Sequence, residues 1–304
     1  MCSLALPADP PLRTIAGRYD VLALIGAGGM GVIHHVRDRR THGVFAIKQP
    51  WSLDPGGSAP YVDQRAGISR EYHALSRLDH PHIVRLADSG TDEWGEPFLI
   101  LELLEQARMI VDLPPAAPLA QRVRALVQMF EALAHVHAAK LVHGDVTPSN
   151  VLLCEHPAWP DTPRSLEPRV CLIDFGLAVG IEESPTPPDL DDRGPSSLVG
   201  SALYLAPELI EGAPLSIASD LYAAGMIAAE VLTGTDPRRR ASPRTTLTAL
   251  RDFPRDWLDD TLGALGRESR AAALLWSLLA RDPVRRCSCA DEAVAELENI
   301  GRTT

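Results

Sequence analysis

Two short polar motifs, each joined to an apolar run, constrain this chain more than any other feature. Residues 141–153 read LVHGDVTPSNVLL, in which four residues separate His143-Gly144-Asp145 from Asn150. A second stretch, VCLIDFGLA, ends an apolar run at Asp174 and continues as Phe-Gly. A lone carboxylate between strand-like runs is ordinarily a loop-capping residue. The two motifs together fit phosphoryl transfer, which needs a group that orients and deprotonates an incoming hydroxyl, here Asp145, and oxygen ligands for magnesium, here Asn150 and Asp174.

Composition limits the class of protein. The chain has 304 residues, enough for one large domain or two lobes with separate cores. Its net charge of −11 disfavours binding to nucleic acid or to anionic membranes. Its five cysteines are scattered and odd in number, which is typical of reduced thiols rather than of a disulfide framework. No apolar run in the sequence approaches the ~20 residues of a membrane span. We therefore expect a soluble, cytoplasmic protein.

A glycine-rich turn near the start of the chain indicates phosphate binding. The stretch YDVLALIGAGGMGVIHHVRD carries Gly26, Gly28 and Gly31 between two strand-like runs. Glycines allow backbone amides to approach a phosphate closely. The same pattern occurs in dinucleotide-binding proteins, but there a helix follows the glycines. Here Val32 and Ile33 continue as a strand, which favours a β-hairpin that covers phosphates.

A lysine and a glutamate follow in elements that could place them near that turn. Lys48 ends the apolar strand VFAIK, where a solvated surface lysine is the ordinary interpretation. The next segment has apolar residues at helical spacing, and Glu71 lies off that apolar stripe. Between strand and helix, residues 54–60 form a Gly/Pro-rich loop.

The remaining pattern predicts a mainly helical second half. Residues 98–105 indicate a buried strand that leads into a linker, and residues 123–137 an amphipathic helix. Residues 154–169 read as an exposed Pro-rich insertion, and the polar stretch after Asp174 as a segment that switches between order and disorder. A helix apolar on nearly all sides should stop at Gly234, and helices are expected near residues 271–279 and 290–300.

Taken together, these motifs resemble the protein kinase superfamily, and the G-A-G-G-M-G loop resembles its bacterial Ser/Thr kinases. The resemblance covers residues 19 to about 300. It implies an α+β, bilobal fold: a flexible segment at 1–18, a small β-rich N-lobe at 19–104 and a larger, mainly helical C-lobe at 105–304. It also implies ATP and Mg²⁺ as cofactors, with the metal held by Asn150 and Asp174.

The resemblance assigns further roles residue by residue. The implied catalytic set is Asp145, Lys48, Glu71, Asn150 and Asp174, with a Lys48–Glu71 pair directed at the α and β phosphates. The implied nucleotide-binding set is Ile25, Gly26, Gly28, Gly31, Ile33, Ala46, Lys48, Glu102, Leu104 and Leu152. Structural roles are implied for Asp220, which would hold the catalytic loop, and for a Glu208–Arg286 pair.

The chain departs from the family pattern at three positions. Gly144 stands where such kinases usually have an arginine, so the electrostatic need for a phosphorylated activation segment falls. Thr147 replaces a lysine near the γ-phosphate, a loss expected to slow transfer by ~10²–10³. Arg108 falls near the place of a ribose-binding acid. The implied activation segment runs from Asp174 to Glu208, and its candidate phosphosites are Ser184, Thr186, Ser196 and Ser197.

The expected activity is phosphorylation of Ser or Thr hydroxyls on proteins, this protein included, and Ser201 favours hydroxyl over phenol acceptors. Two alternatives remain open. Gly144 and Thr147 fit a pseudokinase that binds nucleotide as an interaction module. The H-G-D form also resembles small-molecule phosphotransferases. Ala206-Pro207-Glu208, which by resemblance would close the activation segment, is instead typical of protein kinases. Input from a regulatory partner protein or a small ligand is expected, and the sequence does not indicate the substrate or the oligomeric state.

Overall fold

The chain folds into two compact units, one β-rich and one mainly helical. The computed structural model describes residues 13–28, 31–50, 64–114, 116–154, 168–182, 202–236, 263, 265–266 and 269–302. The first unit comprises the described parts of Met1–Ile68 with Leu86–Leu103, and the second those of Ser69–Arg85 with Leu104–Thr304. This is an α+β architecture of the predicted class.

The first unit is built on a six-stranded antiparallel sheet in the order β1-β2-β3-β4-β6-β5. Its strands are β1 (Thr14–Ile15), β2 (Tyr19–Gly28), β3 (Gly31–Asp38), β4 (Val44–Gln49), β5 (Leu86–Thr91) and β6 (Pro97–Glu102). One sheet face carries the core, a cluster of Ile15, Tyr19, Val36, Ile47, Phe98 and Ile100. Alternate residues point away from that core, because side chains alternate along a strand.

Helix α1 (Gln64–Leu75) shows where the predicted lobes and the observed units differ. The division falls within the helix, after Ile68, so Glu71 and the segment up to Arg85 group with the second unit. Segment 80–85 explains this grouping, because it runs alongside a strand of that unit. Val84 donates its N–H to Leu172 O at 2.9 Å, and Leu172 donates to His82 O at 2.8 Å.

The second unit contains two small sheets. A three-stranded sheet has the order β10-β9-β7, and a two-stranded one pairs β11 with β8. The strands are β7 (Arg108–Met109), β8 (Leu141–Val142), β9 (Val151–Cys154), β10 (Arg169–Leu172) and β11 (Val179–Gly180). The predicted catalytic loop, residues 143–150, therefore lies between β8 and β9, and the Asp174 motif follows β10. The predicted insertion falls between β9 and β10, and residues 155–167 lie outside the described residues.

Five described helices complete the second unit. They are α2 (Leu119–Ala138), α3 (Pro207–Ile210), α4 (Ile217–Thr233), α5 (Arg270–Leu278) and α6 (Ala290–Arg302). Short 3-10 turns cover Ile110–Asp112, Pro148–Asn150, Ala202–Tyr204 and Pro283–Arg285. Helix α4 is buried along nearly its whole length, as its apolar composition predicts. It begins at the N-cap Ser216, which accepts from Ser219 N, and ends at Gly234 in the left-handed conformation. Within the described residues, no helix combines the length and apolarity that crossing a membrane requires.

Candidate active site

His143 fixes the start of the catalytic loop. Its ring is fully buried and lies 4.7 Å from the Phe175 ring, centroid to centroid. Nδ1 accepts the backbone N–H of Asp145 at 3.2 Å, so this nitrogen carries no proton. Nε2 therefore carries the proton and donates to Ile173 O at 3.1 Å. The ring thus joins the backbone of the catalytic loop to the strand end that precedes Asp174.

Asp220 in α4 holds the same loop through the loop's backbone N–H groups. Its Oδ2 accepts the N–H of His143 at 2.8 Å, and its Oδ1 accepts the N–H of Gly144 at 2.9 Å. His137 of α2 places Nε2 3.0 Å from Oδ2. The carboxylate is only 2% exposed, so it depends on these donors. The role that the resemblance implied for Asp220 is confirmed.

Asn150 links the candidate base to the candidate metal site. Its Nδ2 donates to Asp145 Oδ2 and to Asp145 O, both at 2.9 Å. Its backbone O accepts from Ile173 N at 2.9 Å, which brings Asn150 beside the residue that precedes Asp174. Because Nδ2 is used by Asp145, the amide oxygen Oδ1 is the end of Asn150 suited to a cation. Asp145 itself is half-buried.

Asp174 adopts a conformation that non-glycine residues rarely take. Its φ is +63°, a left-handed value that costs about 1–3 kcal/mol and is characteristic of functional sites. Its Oδ1 accepts the N–H of Gly176 at 3.2 Å. This turn places the Asp174 carboxylate just after the C-terminal end of β10.

The donors present fit magnesium. Asp174 and Asn150 offer carboxylate and amide oxygens, the hard ligands that Mg²⁺ prefers, and Mg²⁺ in nucleotide sites is typically bound by one or two protein ligands plus phosphates and water. No group of three or more His, Cys, Asp or Glu side chains that could hold a metal occurs among the described residues. The Asp174 and Asn150 oxygens therefore fit Mg²⁺ that takes its other ligands from phosphates and water.

In the first unit, three of the predicted nucleotide-binding residues share one sheet face. Ile33 lies opposite Lys48 in the β3–β4 register, and His35 opposite Ala46. Because partners in register share a face and alternate residues repeat it, Ile33, Ala46 and Lys48 all lie on the face away from the core. The sheet thus brings together an apolar surface and a cation.

The β2–β3 hairpin requires glycine at its closing position. Gly28 pairs with Gly31, and Gly26 lies opposite Ile33. Gly31 has φ +120°, and a Cβ there would lie 2.2 Å from Gln49 O, so no other residue fits. Gly26 and Gly28 have open space around their Cα atoms, which leaves their backbone accessible. The β-hairpin predicted for this loop is confirmed.

Lys48 and Glu71 are both buried, which excludes the solvated-lysine interpretation. Lys48 is 3% exposed in β4 and Glu71 is 1% exposed in α1. A charged group is held in such an environment only where opposite charge and hydrogen bonds compensate its lost hydration. Lys48 belongs to the first unit, and Glu71 belongs to the second.

The remaining candidates lie at strand ends and linkers. Glu102 is buried as the last residue of β6, opposite Phe45, and Leu104 is half-buried two residues later. Leu152 in β9 lies between Met109 of β7 and Cys171 of β10. Ile25 is 51% exposed in β2.

The three departures from the pattern have structural counterparts. Gly144 has φ +78°, and a Cβ there would lie 2.9 Å from Leu215 Cδ1 and 3.0 Å from Leu177 O. Thr147 is 5% exposed, and its Oγ1 lies 2.9 Å from the Oγ of Ser149. Arg108 is exposed in β7. Gly144 is therefore required by the conformation of the loop, and the usual arginine does not fit there unchanged.

The predicted Glu208–Arg286 pair is present. Arg286 Nη1 and Nη2 bind the two Glu208 oxygens at 2.5 and 2.6 Å in a bidentate arrangement. Nearby, Tyr204 donates its hydroxyl to Glu230 Oε2 at 2.7 Å in a buried contact. The candidate phosphosites and Ser201 lie outside the described residues.

Sequence reasoning missed two residues of the site. The sequence pattern places His137 on the apolar face of a helix, whereas in the structure it donates to Asp220. Arg70 stands next to Glu71, and its Nε donates to Gly176 O at 2.8 Å. Neither has a spacing signal, because both bonds join residues far apart in the chain. A polar residue on an otherwise apolar helix stripe was the only available sign of His137.

A family profile, curated relatives and a solved structure that are similar to this chain are all protein kinases. A sequence profile described as the protein kinase domain matches residues 19–296. The chain is 33% identical over 230 residues to the serine/threonine-protein kinase pkn3 of Myxococcus xanthus, a match that covers 74% of this chain and 39% of that protein. It is 34% identical over 233 residues to the DNA damage-responsive serine/threonine-protein kinase RqkA of Deinococcus radiodurans, covering 75% of this chain and 31% of that protein. These matches therefore span well under half the length of the relatives.

A solved structure extends the likeness to nearly the whole chain. The crystal structure of the Mycobacterium tuberculosis PknI kinase domain superposes with a TM-score of 0.61 at 25% sequence identity. The superposition covers 96% of this chain and 99% of that one.

Proposed function

This chain belongs to the protein kinase family, and we propose that it transfers the γ-phosphoryl group of Mg–ATP to Ser or Thr hydroxyls of proteins, itself included. The observation that carries the proposal is the position of Asn150. Its Nδ2 donates to the Asp145 carboxylate at 2.9 Å while its backbone accepts from Ile173, next to Asp174. Asn150 thereby holds the candidate base through its side chain and, through its backbone, the residue that precedes the candidate metal ligand Asp174.

Asp145 is the proposed base. The bond from Asn150 occupies Oδ2 and fixes the carboxylate plane, so the other oxygen is oriented to accept the proton of a substrate hydroxyl. His143 accepts the N–H of Asp145, and Asp220 accepts the N–H groups of His143 and Gly144, so the backbone that leads into Asp145 is fixed. Catalysis of this kind depends mainly on positioning and on charge stabilisation.

Asn150 and Asp174 are the proposed metal ligands. Magnesium held by these residues would supply positive charge that offsets the negative charge on the phosphates. Asn150 Oδ1 and the Asp174 carboxylate are proposed to hold the ion. The Gly176 N–H bond to Asp174 supports this role, because it orients the carboxylate without neutralising it.

Lys48 is proposed to bind the α and β phosphates, with Glu71 as its acidic partner. The burial of both side chains supports this assignment. The backbone of Gly26, Gly28 and Gly31 is proposed to cover the phosphates. The proposed adenine contacts are the side chains of Ile25, Ile33, Ala46 and Leu152 and the backbone groups of Glu102 and Leu104.

Activity without a phosphorylated activation segment is part of the proposal. An arginine before the catalytic aspartate would add a positive charge that a nearby phosphate neutralises, and Gly144 removes that need. Leu215 Cδ1 and Leu177 O lie 2.9 and 3.0 Å from the place that a Cβ on Gly144 would take, and this crowding supports a loop that is held by packing instead. Protein that is free of phosphate and inactive would contradict this.

The test is the intact mass of the purified protein before and after incubation with Mg–ATP, beside an Asp145→Asn control. We expect gains in ~80 Da steps that the control lacks. Mapping of the phosphorylated residues then shows whether Ser196 or Ser197 is a target. Addition of a generic Ser/Thr protein substrate detects a kinase that does not modify itself.

A pseudokinase is the second candidate, and Thr147 favours it. This side chain is buried against Ser149 and supplies no cation near the γ-phosphate. Nucleotide-dependent stabilisation without transfer to any protein substrate would identify such a binding module. The Glu208–Arg286 pair supports a protein-substrate platform over a small-molecule phosphotransferase.

Protein substrates, a regulatory partner protein and a cytoplasmic location belong to the same proposal. The four described cysteines, Cys154, Cys171, Cys287 and Cys289, form no disulfide with one another, which supports a reducing compartment.

A further inference from the structure

Arg70 makes a contact that the proposed mechanism has not used. It lies in α1 next to Glu71, and its Nε donates to the carbonyl oxygen of Gly176 at 2.8 Å. The two residues are 106 positions apart, and Gly176 is buried. A bond from an ionised donor is about twice as strong as one between neutral groups. The contact therefore holds the turn after β10 firmly against α1.

Gly176 is also the residue that orients Asp174. Its N–H donates to Asp174 Oδ1 at 3.2 Å, while its carbonyl receives Arg70. Glycine has little conformational preference of its own, so the directions of its two peptide groups depend on their partners. Fixing the carbonyl side of Gly176 thereby restricts the direction of its N–H, and with it the Asp174 carboxylate.

We propose that Arg70 is a positioning residue for the metal ligand Asp174, acting through Gly176. The proposal rests on the proposed function, because it takes Asp174 as a ligand of the magnesium that accompanies the nucleotide. Asp174 has φ +63°, a conformation that needs support from its surroundings. Arg70 supplies that support from α1, the helix that also carries Glu71. Displacement of this part of α1 would then weaken metal binding together with the position of Glu71.

The experiment measures metal binding apart from activity. The full chain is melted with ADP across a Mg²⁺ titration, for wild type, Arg70→Ala and Arg70→Gln. We expect both variants to need about tenfold more Mg²⁺ for half of the ADP-dependent stabilisation, the scale of one lost charge-assisted hydrogen bond. Stabilisation by ADP in EDTA should be unchanged, because Arg70 acts on the metal ligand. Arg70→Lys keeps a charged donor and should be intermediate.

Arg65→Ala is the matched control. Arg65 is on the same helix, is 55% exposed and pairs with Glu96. This variant should keep the wild-type Mg²⁺ midpoint. In a phosphoryl-transfer assay, the Arg70 variants should lose kcat at low Mg²⁺ and recover part of it at high Mg²⁺.

A folded Arg70→Ala with the wild-type Mg²⁺ midpoint would overturn the proposal. If that variant does not fold, Arg70→Gln is judged by the same criterion. Wild-type protein that binds Mg–ADP but transfers no phosphoryl group would refute the kinase activity alone, and the comparison of midpoints would still decide the role of Arg70. Wild-type protein without Mg²⁺-dependent stabilisation would overturn the role of Arg70 and the metal site together.

Discussion

The Gly144→Ala substitution tests whether the catalytic loop is held by packing rather than by charge. Gly144 has φ +78°, and an L-residue in the left-handed region costs about 1–2 kcal/mol. The added Cβ would also lie 2.9 Å from Leu215 Cδ1 and 3.0 Å from Leu177 O. Leu215 is 8% exposed and has little room to move, and the carbonyl is backbone, so crowding adds about 1–3 kcal/mol.

The two contributions give an expected loss of about 2–5 kcal/mol in the free energy of unfolding. At about 2–4 °C per kcal/mol for a large domain, that corresponds to a fall of about 4–20 °C in Tm. The assay is thermal and urea unfolding without nucleotide. Since Asp145 follows directly, kcat should fall as well, and Gly144→Arg should not raise it.

Two glycines elsewhere in the second unit separate the contributions. Gly212 is exposed with φ +87° and has no atom within 4 Å of an added Cβ, so Gly212→Ala measures the backbone cost alone. Gly225 lies within α4, and its Cβ would lie 2.8 Å from Leu278 Cβ, so Gly225→Ala measures crowding, offset by the helix propensity of about 1 kcal/mol that alanine gains over glycine. If Gly144→Ala costs no more than Gly212→Ala, the crowding at Leu177 and Leu215 has no energetic weight and the reasoning is wrong.

Three further outcomes follow from single side chains. Lys48→Ala and Asp174→Ala should each lower kcat by ~10²–10³ or more, with a far smaller effect on folding, and a melt of either variant that shows only unfolded protein would contradict this. Burial lowers the pKa of His80 from 6.5 to about 4, so the folded chain resists a proton that the unfolded chain accepts. Stability should therefore decline as pH falls from about 6.5 to 4, and His80→Asn should cost less stability at pH 5 than at pH 7.5 in urea titrations. Burial, with a hydrogen bond to Glu292, raises the pKa of Cys287 to about 12, so this thiol should resist alkylation at pH 8 until the protein unfolds, and Glu292→Gln should speed its labelling.

Equal losses of unfolding free energy in His80→Asn at pH 5 and pH 7.5 would contradict the prediction for His80. They would mean that the ring has the same pKa in the folded and the unfolded chain. For Cys287, labelling of the folded protein at the rate of a free thiol would contradict the assigned burial.

Much of the fold, and the elements that carry the candidate site residues, could be predicted because the signals are local. Alternation in β3 and β4 places Ile33, Ala46 and Lys48 on one face, and glycine positions define the hairpin. The helix stop at Gly234 follows from its left-handed conformation, which few other residues adopt. The observed division into units differs from the expected lobe boundary at α1, where packing of the following segment on β10 groups Glu71 with the second unit.

Only the tertiary structure decided the meaning of the departures and the supports of the site. The sequence alone determined that Gly144 lacks a charge, but the positions of Leu177 and Leu215 determined that a side chain there would be crowded. It determined the residue types at Asp145, Asn150 and Asp174, whereas the roles of Arg70 and His137 arise from hydrogen bonds across 106 and 83 positions. The physical reason is range: backbone propensity and side-chain periodicity act over a few residues, while the orientation of a carboxylate depends on whichever donors the fold brings within about 3 Å of it.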